Sequence, residues 1–366
     1  AITMPKWGLA MTEGKVAGWA LSEGDPVSPG TEILDIETSK ITNAIETEKT
    51  GVLRRVVAQE GETLPVGALL GVIAPESVSD EAIEAFVDGF KAEVSAEAAI
   101  DEVAAAEPET VDVGGRTIRY LKVGHQGPAI LMIHGFGGDL NNWMFNQPML
   151  AEKHVVYALD LPGHGGSGKD VGDGSVEALA GLVDGFMTAV GLDAAHLVGH
   201  SLGGAVAMAL AFKVPARARS LTLICSAGLG SEIAGDYIDG FIAAGRRKDI
   251  KPVIEMLFAD PSLVSRDMLE DILRYKRLDG VDAALRGLAE GAFTGGRQAW
   301  LAGERLARVT VPVQAIWGAA DRIVPAAHAD GLPGPVGTHV FDNKGHMVHM
   351  EAAPEVNRLI EQIASR

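Results

Sequence analysis

The stretch Ala195-His196-Leu197-Val198-Gly199-His200-Ser201-Leu202-Gly203-Gly204-Ala205-Val206-Ala207-Met208-Ala209-Leu210 decides the architecture of most of this chain. Ala195–Gly199 reads as a buried strand, and the small-residue run from Gly204 to Leu210 reads as a helix. Gly199 and Gly203 let the chain turn sharply between them and let helix and strand approach closely. Ser201 therefore stands at a tight bend with a helix N-terminus behind it, where negative charge developing on an oxygen is stabilised.

Working outward, the apolar runs Ala129–Ile133, His154–Leu159, Ser220–Cys225, Val313–Trp317 and His339–Phe341 have the continuity of buried parallel strands. Helical patterns alternate with them from about residue 110, which predicts a doubly wound α/β sheet. Partners for Ser201 follow in chain order. Asp321, in Trp317-Gly318-Ala319-Ala320-Asp321-Arg322-Ile323-Val324-Pro325, ends a strand, and His346, in Gly345-His346-Met347-Val348-His349, follows the last one. A serine, a histidine to take its proton and an acid to hold the histidine tautomer form a nucleophilic triad. His349 is the near alternative, but His346 directly follows the turn glycine. Upstream, His134-Gly135-Phe136-Gly137-Gly138 follows a strand end, so the backbone N–H groups of Phe136 and Leu202 are candidates for an oxyanion hole. A lone Gly-x-Ser-x-Gly is weak evidence; the surrounding strand, helix, glycine loop and ordered Asp and His turns make coincidence a poor account of it. His164 and His200 read as structural, and no His/Cys/Asp cluster has metal-ligand spacing.

Between Cys225 and Val313 the sheet pattern is interrupted. Residues 228–305 carry helical segments at Glu232–Ala244, Lys251–Leu257, Arg266–Lys276 and Asp282–Glu290, which we read as a cap over the serine.

The N-terminal residues obey a different rule: shifted by 37 positions, the chain matches itself. Gly14 falls on Gly51, Glu23-Gly24 on Glu60-Gly61, Gly30 on Gly67, Val16 on Leu53 and Ile33 on Leu70. Each copy reads as short strands separated by turn residues and is too small to bury a core alone, so two copies closing face to face into a flattened barrel are expected. Lys40, in Asp35-Ile36-Glu37-Thr38-Ser39-Lys40-Ile41, falls where the first copy hands over to the second, at an expected exposed hairpin.

Residues 75–109 hold eleven acids and one base, most of the excess behind a net charge of −18. Within them Ile83, Phe86, Val87, Phe90 and Val94 fall on one helical stripe over 79–95, with Ser77 or Ser79 as cap. The simplest surface for that stripe is the C-terminal domain. Beyond it, the Ala/Glu-rich residues 95–110 read as a pliable connector. No part of the chain is basic enough for nucleic acid, and no apolar run has the length of a membrane span. The lone Cys225 excludes an internal disulfide and reads as a core residue, and the opening residues lack the apolar stretch of a secretory signal, so a reducing cytoplasm is expected.

With these residues in view, positions 1–74 resemble a biotinyl/lipoyl carrier domain, and Glu37-Thr38-Ser39-Lys40 is similar to the lipoyl form. Residues 110–366 resemble an α/β-hydrolase with a helical cap. In this order the two resemble the acetyltransferase component of bacterial acetoin dehydrogenase complexes. The resemblance implies a covalent lipoate on Lys40 and transfer of an acetyl group from S-acetyldihydrolipoyl-lysine to coenzyme A through an acyl-Ser201. It implies as partners a thiamine-diphosphate dehydrogenase component and dihydrolipoamide dehydrogenase, and a homo-oligomeric assembly. Arg246, Arg247, Lys248 and Lys251 on the cap are candidates to hold the coenzyme A phosphates. The His-x-x-x-Asp-Gly of ordinary 2-oxo acid dehydrogenase acyltransferases is lacking, so the chemistry falls to Ser201, His346 and Asp321. A serine hydrolase for esters or thioesters, with the carrier as tether, is the alternative.

Overall fold

The internal repeat folds as two matching sheets. A computed structural model describes residues 1–7, 11, 13–38, 42–90 and 105–365, and the chain divides into two units, Ala1–Ala99 and Ile100–Arg366. In the first, the strands are β1 (Ile2–Thr3), β2 (Glu13–Trp19), β3 (Pro26–Val27), β4 (Thr31–Glu37), β5 (Thr42–Thr47), β6 (Gly51–Val56), β7 (Thr63–Pro65) and β8 (Leu69–Ala74). They form two four-stranded sheets, ordered β1-β8-β6-β3 and β5-β4-β2-β7. The 37-residue shift carries β2 onto β6, β3 onto β7 and β4 onto β8, so it also carries one sheet onto the other.

The two copies interlock. Gly24 N–H donates to Leu53 O and Gly61 N–H to Val16 O, both at 2.8 Å; Leu53 N–H donates to Asp25 O at 3.0 Å and Val16 N–H to Glu62 O at 2.9 Å. Each copy's turn thus satisfies the other copy's strand, and the paired side chains Val16 and Leu53, and Ile33 and Leu70, are fully buried in one core. Gly24 and Gly61 have φ of 97° and 87°, a conformation that penalises any Cβ. β4 and β5 pair antiparallel as far as Glu37 and Thr42; Ser39, Lys40 and Ile41, between them, lie outside the described residues.

The amphipathic stripe forms a helix, α1, over residues 80–90, with Ser79 Oγ accepting from Ala82 N–H at 3.3 Å. Its expected berth on the C-terminal domain is corrected by the structure. Ile83 and Val87 pack on Leu69 and Val72 of β8, within the first unit. Arg54 pairs with Asp80 and Arg55 with Glu84, fixing the helix to β6. Phe86 is left 43% exposed. Residues 91–104, including Val94 and most of the expected connector, lie outside the described residues.

In the second unit, β9 (Glu109–Val113) and β10 (Arg116–Val123) precede β11 (Ala129–Ile133), α2 (Gln147–Ala151), β12 (Val155–Leu159), α3 (Val176–Ala189), β13 (Ala195–His200), α4 (Leu202–Lys213) and β14 (Ala218–Ile224). The cap follows as α5 (Gly235–Ala243), α6 (Arg247–Glu255), α7 (Arg266–Lys276), α8 (Val281–Ala292) and a two-stranded hairpin, β15 (Phe293–Thr294) with β16 (Arg297–Gln298). β17 (Val313–Gly318), β18 (Val336–Phe341), α9 (Val348–Glu351) and α10 (Ala353–Ala364) complete the unit. The eight-stranded sheet is ordered β18-β17-β14-β13-β11-β12-β10-β9, parallel from β18 to β12 and antiparallel at the other edge. Strand order reverses between β11 and β13, and the crevice beyond the carboxyl ends of such a pair is where α/β sheets bind ligands.

Several boundaries differ from expectation, two of them for clear physical reasons. β18 starts at Val336 because it is an edge strand with half-exposed residues, and only its apolar end stood out in the sequence. α6 starts at Arg247, before Pro252, because Ile250 and Ile254 are both buried and hold the helix through the proline despite a missing N–H.

The interlocked turns generate a paired test. Gly24→Ala and Gly61→Ala place a Cβ in open space and are penalised through φ alone. Each is expected to cost about 1–2 kcal/mol, read as matching downward shifts of the first unit's unfolding transition in calorimetry of the full chain.

Candidate active site

Ser201 joins β13 to α4 with φ 55° and ψ −120°, outside the regions an L-residue prefers. Four backbone hydrogen bonds hold it there: Ser201 N–H donates to Ile224 O at 2.9 Å, and Ser201 O accepts from Gly204 at 2.9 Å, Ala227 at 3.0 Å and Ala205 at 3.4 Å. A Cβ on Gly203 would lie 2.1 Å from Ile133 O, so only glycine lets α4 begin this close to β11. The turn lifts the serine side chain toward the crevice at the strand reversal.

His346 and Asp321 meet there. His346 Nδ1–H donates to Asp321 Oδ2 at 2.8 Å, with both side chains essentially inaccessible. Oδ1 of the same carboxylate accepts from Ile323 and Val324 N–H at 2.8 and 3.0 Å, which fixes its plane. The bond to Asp321 leaves Nε2 as the ring nitrogen to serve Ser201. Cys225 lies beside this pair: its Sγ, the carboxylate and a ring nitrogen of His346 fall within 4.8 Å of one another. Those atoms have the dimensions of a metal ligand set, but Asp321 Oδ2 and His346 Nδ1 already serve each other. Burial and the neighbouring carboxylate push the thiol well above its usual range, so it stays protonated.

Phe136 and Leu202 face the same turn. Leu202 is the first residue of α4, and its N–H, like that of Phe136, has no acceptor among the described residues. The loop bearing Phe136 is held from two sides. His164 Nδ1–H donates to Pro162 O at 3.2 Å, which leaves Nε2 to accept from Gly137 N–H at 3.0 Å. His134 donates to Gly135 O at 2.7 Å and accepts from Leu161 N–H at 2.9 Å. Burial holds both imidazoles below their ordinary pKa, His164 far below. From the cap, Tyr237 OH donates to Phe136 O at 3.1 Å and Tyr275 OH to Gly163 O at 2.6 Å. Asp160, fully buried, accepts from Leu140 and Gly166 N–H at 2.8 and 2.7 Å and from Arg119 at 3.1 Å. Sequence reasoning missed Tyr237, Tyr275 and Asp160; the Asp-Leu-Pro-Gly-His-Gly run was the signal that pointed to the last.

Comparison with known proteins agrees with this geometry. Residues 1–73 match the family described as biotin-requiring enzymes, and residues 128–353 match the alpha/beta hydrolase fold. The chain is 48% identical over 361 residues to a protein of Cupriavidus necator named dihydrolipoyllysine-residue acetyltransferase component of acetoin cleaving system, covering 99% of this chain and 96% of that one. A Pseudomonas putida protein of the same name is 47% identical over 358 residues, covering 98% and 96%. The chain belongs to this acetyltransferase family. Among solved structures, a 2-hydroxy-6-oxo-6-phenylhexa-2,4-dienoate hydrolase from Rhodococcus superposes with a TM-score of 0.65 at 23% identity, over 71% of this chain and 99% of that one, which speaks for the fold of the second unit.

Ser201, His346 and Phe136 line one cavity of about 570 Å³, walled by the cap helices α6 and α7 and by the chain after β11. The four cap cations picked from the sequence are not among its lining residues. Arg246 pairs with Asp249 at 2.8 Å, Arg247 with Glu270 at 3.9 Å and Lys251 with Glu255 at 3.5 Å; Lys248 is exposed. His349, the rejected alternative base, is fully buried, with its ring 4.5 Å from that of His200. Burial pushes His349 down to about 3 and holds His200 well below the ordinary range.

Two outcomes follow. His164→Gln keeps an acceptor where Nε2 stood and His164→Leu does not; the leucine variant is expected to lose about 10²-fold in kcat with little change in KM, and the glutamine variant to recover most of it. Steady-state kinetics check this, and equal losses in both variants would show that the Gly137 bond does not matter. Second, His164, His200 and His349 are held neutral in the fold but protonate near 6.5 when unfolded. Their full contribution to stability is present above pH 6.5 and is lost progressively as pH falls below it, for His349 down to about 3, so the second unit's Tm is expected to drop as pH falls below 6.5 and to respond little to these groups above it.

Proposed function

We propose that this chain transfers an acetyl group from an S-acetyldihydrolipoyl-lysine to coenzyme A through an ester on Ser201. Residues 1–74 carry the acetyl group, 75–109 connect, and 110–366 perform the chemistry. The single observation that carries the reading is the strained Ser201 sharing one cavity with His346, which is itself bonded to Asp321, in a chain that also bears a carrier fold. Lipoate would be held by Lys40, between strands that pair up to Glu37 and Thr42, and it supplies a thiol on a long arm.

The residues act in two half-reactions. His346 Nε2 takes the Ser201 proton as Oγ attacks the thioester carbonyl, and Asp321 stabilises the imidazolium. Phe136 and Leu202 N–H groups hold the oxyanion, each worth about 3 kcal/mol. His346 then gives its proton to the leaving thiolate. In the second half His346 takes the proton of the coenzyme A thiol, whose sulfur attacks acetyl-Ser201, and returns it to Oγ.

As a member of an acetoin cleaving system the chain works beside other enzymes. A thiamine-diphosphate dehydrogenase component that loads the arm, a dihydrolipoamide dehydrogenase that reoxidises it, a homo-oligomeric state and a cytoplasmic setting complete the proposal.

The test supplies S-acetyldihydrolipoamide and coenzyme A and quantifies acetyl-CoA against acetate. Acetyl-CoA is expected to dominate, with a loss of about 10⁴-fold or more in Ser201→Ala. Acetate as the main product would make the chain a hydrolase, and an undiminished Ser201→Ala would remove the covalent route. Mass measurement of the native chain is expected to show a lipoyl increment that Lys40→Arg abolishes.

A further inference from the structure

The charge of the cavity says what part of the acceptor it recognises. Among the described residues, its acidic and basic lining groups besides His200 and His346 are the acids Asp139 and Asp271, and neither Lys nor Arg lines it. Asp139 lies beside the oxyanion loop, where burial and the nearby Asp160 raise its pKa. Asp271 is exposed and paired with Arg274 at 3.0 Å. Arg266 donates to Glu270 at 2.7 Å, and the cap cations Arg246, Arg247 and Lys251 are paired with carboxylates outside the cavity. The mouth is apolar, with Met144 52%, Phe145 51% and Leu263 47% exposed. Large apolar side chains left open at the entrance of a cleft mark a surface that meets an apolar ligand. Asn141 and Asn142 also line the cavity, uncharged and tied to Asp139: Asn142 Oδ1 accepts from Asp139 N–H at 3.2 Å and Asn141 Nδ2 donates to Asp139 Oδ2 at 3.3 Å.

We infer that this site recognises its acceptor as a neutral thiol tether, an alkyl amide ending in –SH such as the pantetheine part of coenzyme A, and holds no phosphate of the nucleotide. The inference rests on the acetyl-transfer reading and names its substrate class. The lipoyl-lysine arm is chemically the same kind of object, a hydrocarbon chain with an amide and a terminal thiol, so donor and acceptor occupy one slot in turn. The covalent ester makes this possible, because the donor thiol leaves before the acceptor enters. In the acceptor step the C–S bond forms as the acetyl C–Oγ bond breaks. The thiol proton passes to His346 Nε2 and on to Ser201 Oγ, and no oxidant or reductant is involved.

The experiment uses the full, lipoylated chain with S-acetyldihydrolipoamide as donor and compares coenzyme A with pantetheine as acceptor, subtracting the rate of Ser201→Ala. Pantetheine is expected to reach a kcat/KM within about tenfold of coenzyme A, with dihydrolipoamide competing against either thiol. A larger loss with pantetheine, concentrated in KM, would mean that the protein holds the nucleotide, and would overturn the inference while leaving acetyl transfer intact. Acetate formation with neither thiol acetylated would instead overturn the transfer reading on which the inference stands.

Discussion

The backbone of Ser201 is the constraint from which the second unit's chemistry follows. Its φ of 55° and ψ of −120° cost about 1–3 kcal/mol, and four backbone hydrogen bonds, to β14, α4 and the segment after β14, keep it from relaxing. The bend that strains Ser201 also starts α4 immediately afterwards, so the Leu202 N–H is free because it belongs to a helix's first turn. The neighbouring strand, β11, ends beside it and delivers Phe136. Ser201 and the two unpaired N–H groups proposed to hold the oxyanion are therefore consequences of one sheet reversal, and Gly203, pressed against Ile133 O, sets how near they lie.

A second layer keeps that arrangement from drifting. The loop after β11 has few side chains of its own to pack with, since Gly135, Gly137 and Gly138 make up half of it. Its position is set by its own His134, which bonds to Leu161, and by groups that reach it from elsewhere: His164, whose ring lies 4.8 Å from that of His134, and Tyr237 of the cap. Neutrality matters here. A protonated His164 would lose the lone pair that accepts from Gly137, and burial guards against that by penalising the charged form. The cap is thus tied to the loop bearing Phe136 through Tyr237 and to the His164 loop through Tyr275, which makes it a support for these loops as well as a cover.

Legibility in the sequence tracked the distance over which information is local. Ser201, Asp321 and His346 each sit in a short motif that ends a strand, and the 37-residue repeat announces the two-sheet carrier because each half must reproduce the same turns. What escaped was pairing across the chain. Tyr237 and Phe136 are 101 positions apart, and Tyr275 and Gly163 are 112 apart; no periodicity links them. The stripe of α1 was visible, but a stripe states that a face is apolar and not which surface covers it, so its berth on β8 was misassigned. The cap cations were visible as charge, yet helical spacing also supplied two of them with an acid one turn away, which is how Arg246 and Lys251 come to be paired with Asp249 and Glu255.

The choice between a thiol and water at an acyl-serine is kinetic, because exchange between thioesters is nearly balanced while hydrolysis runs strongly downhill. His346, bonded to Asp321, lines this cavity, and as the proposed base it would activate whichever nucleophile lies next to the ester. A hydrocarbon tether laid along walls such as Ile254, Phe258 and Ile272 gains roughly 25 cal/mol for each Å² of apolar surface it buries. Water gains nothing there and forms few hydrogen bonds against those walls. An apolar slot thus favours the thiol twice, by holding its tether and by displacing the competing water from the space the tether fills. Phosphate-binding cations inside the slot would draw water in with them, so their absence from the lining belongs to the same design as the chemistry.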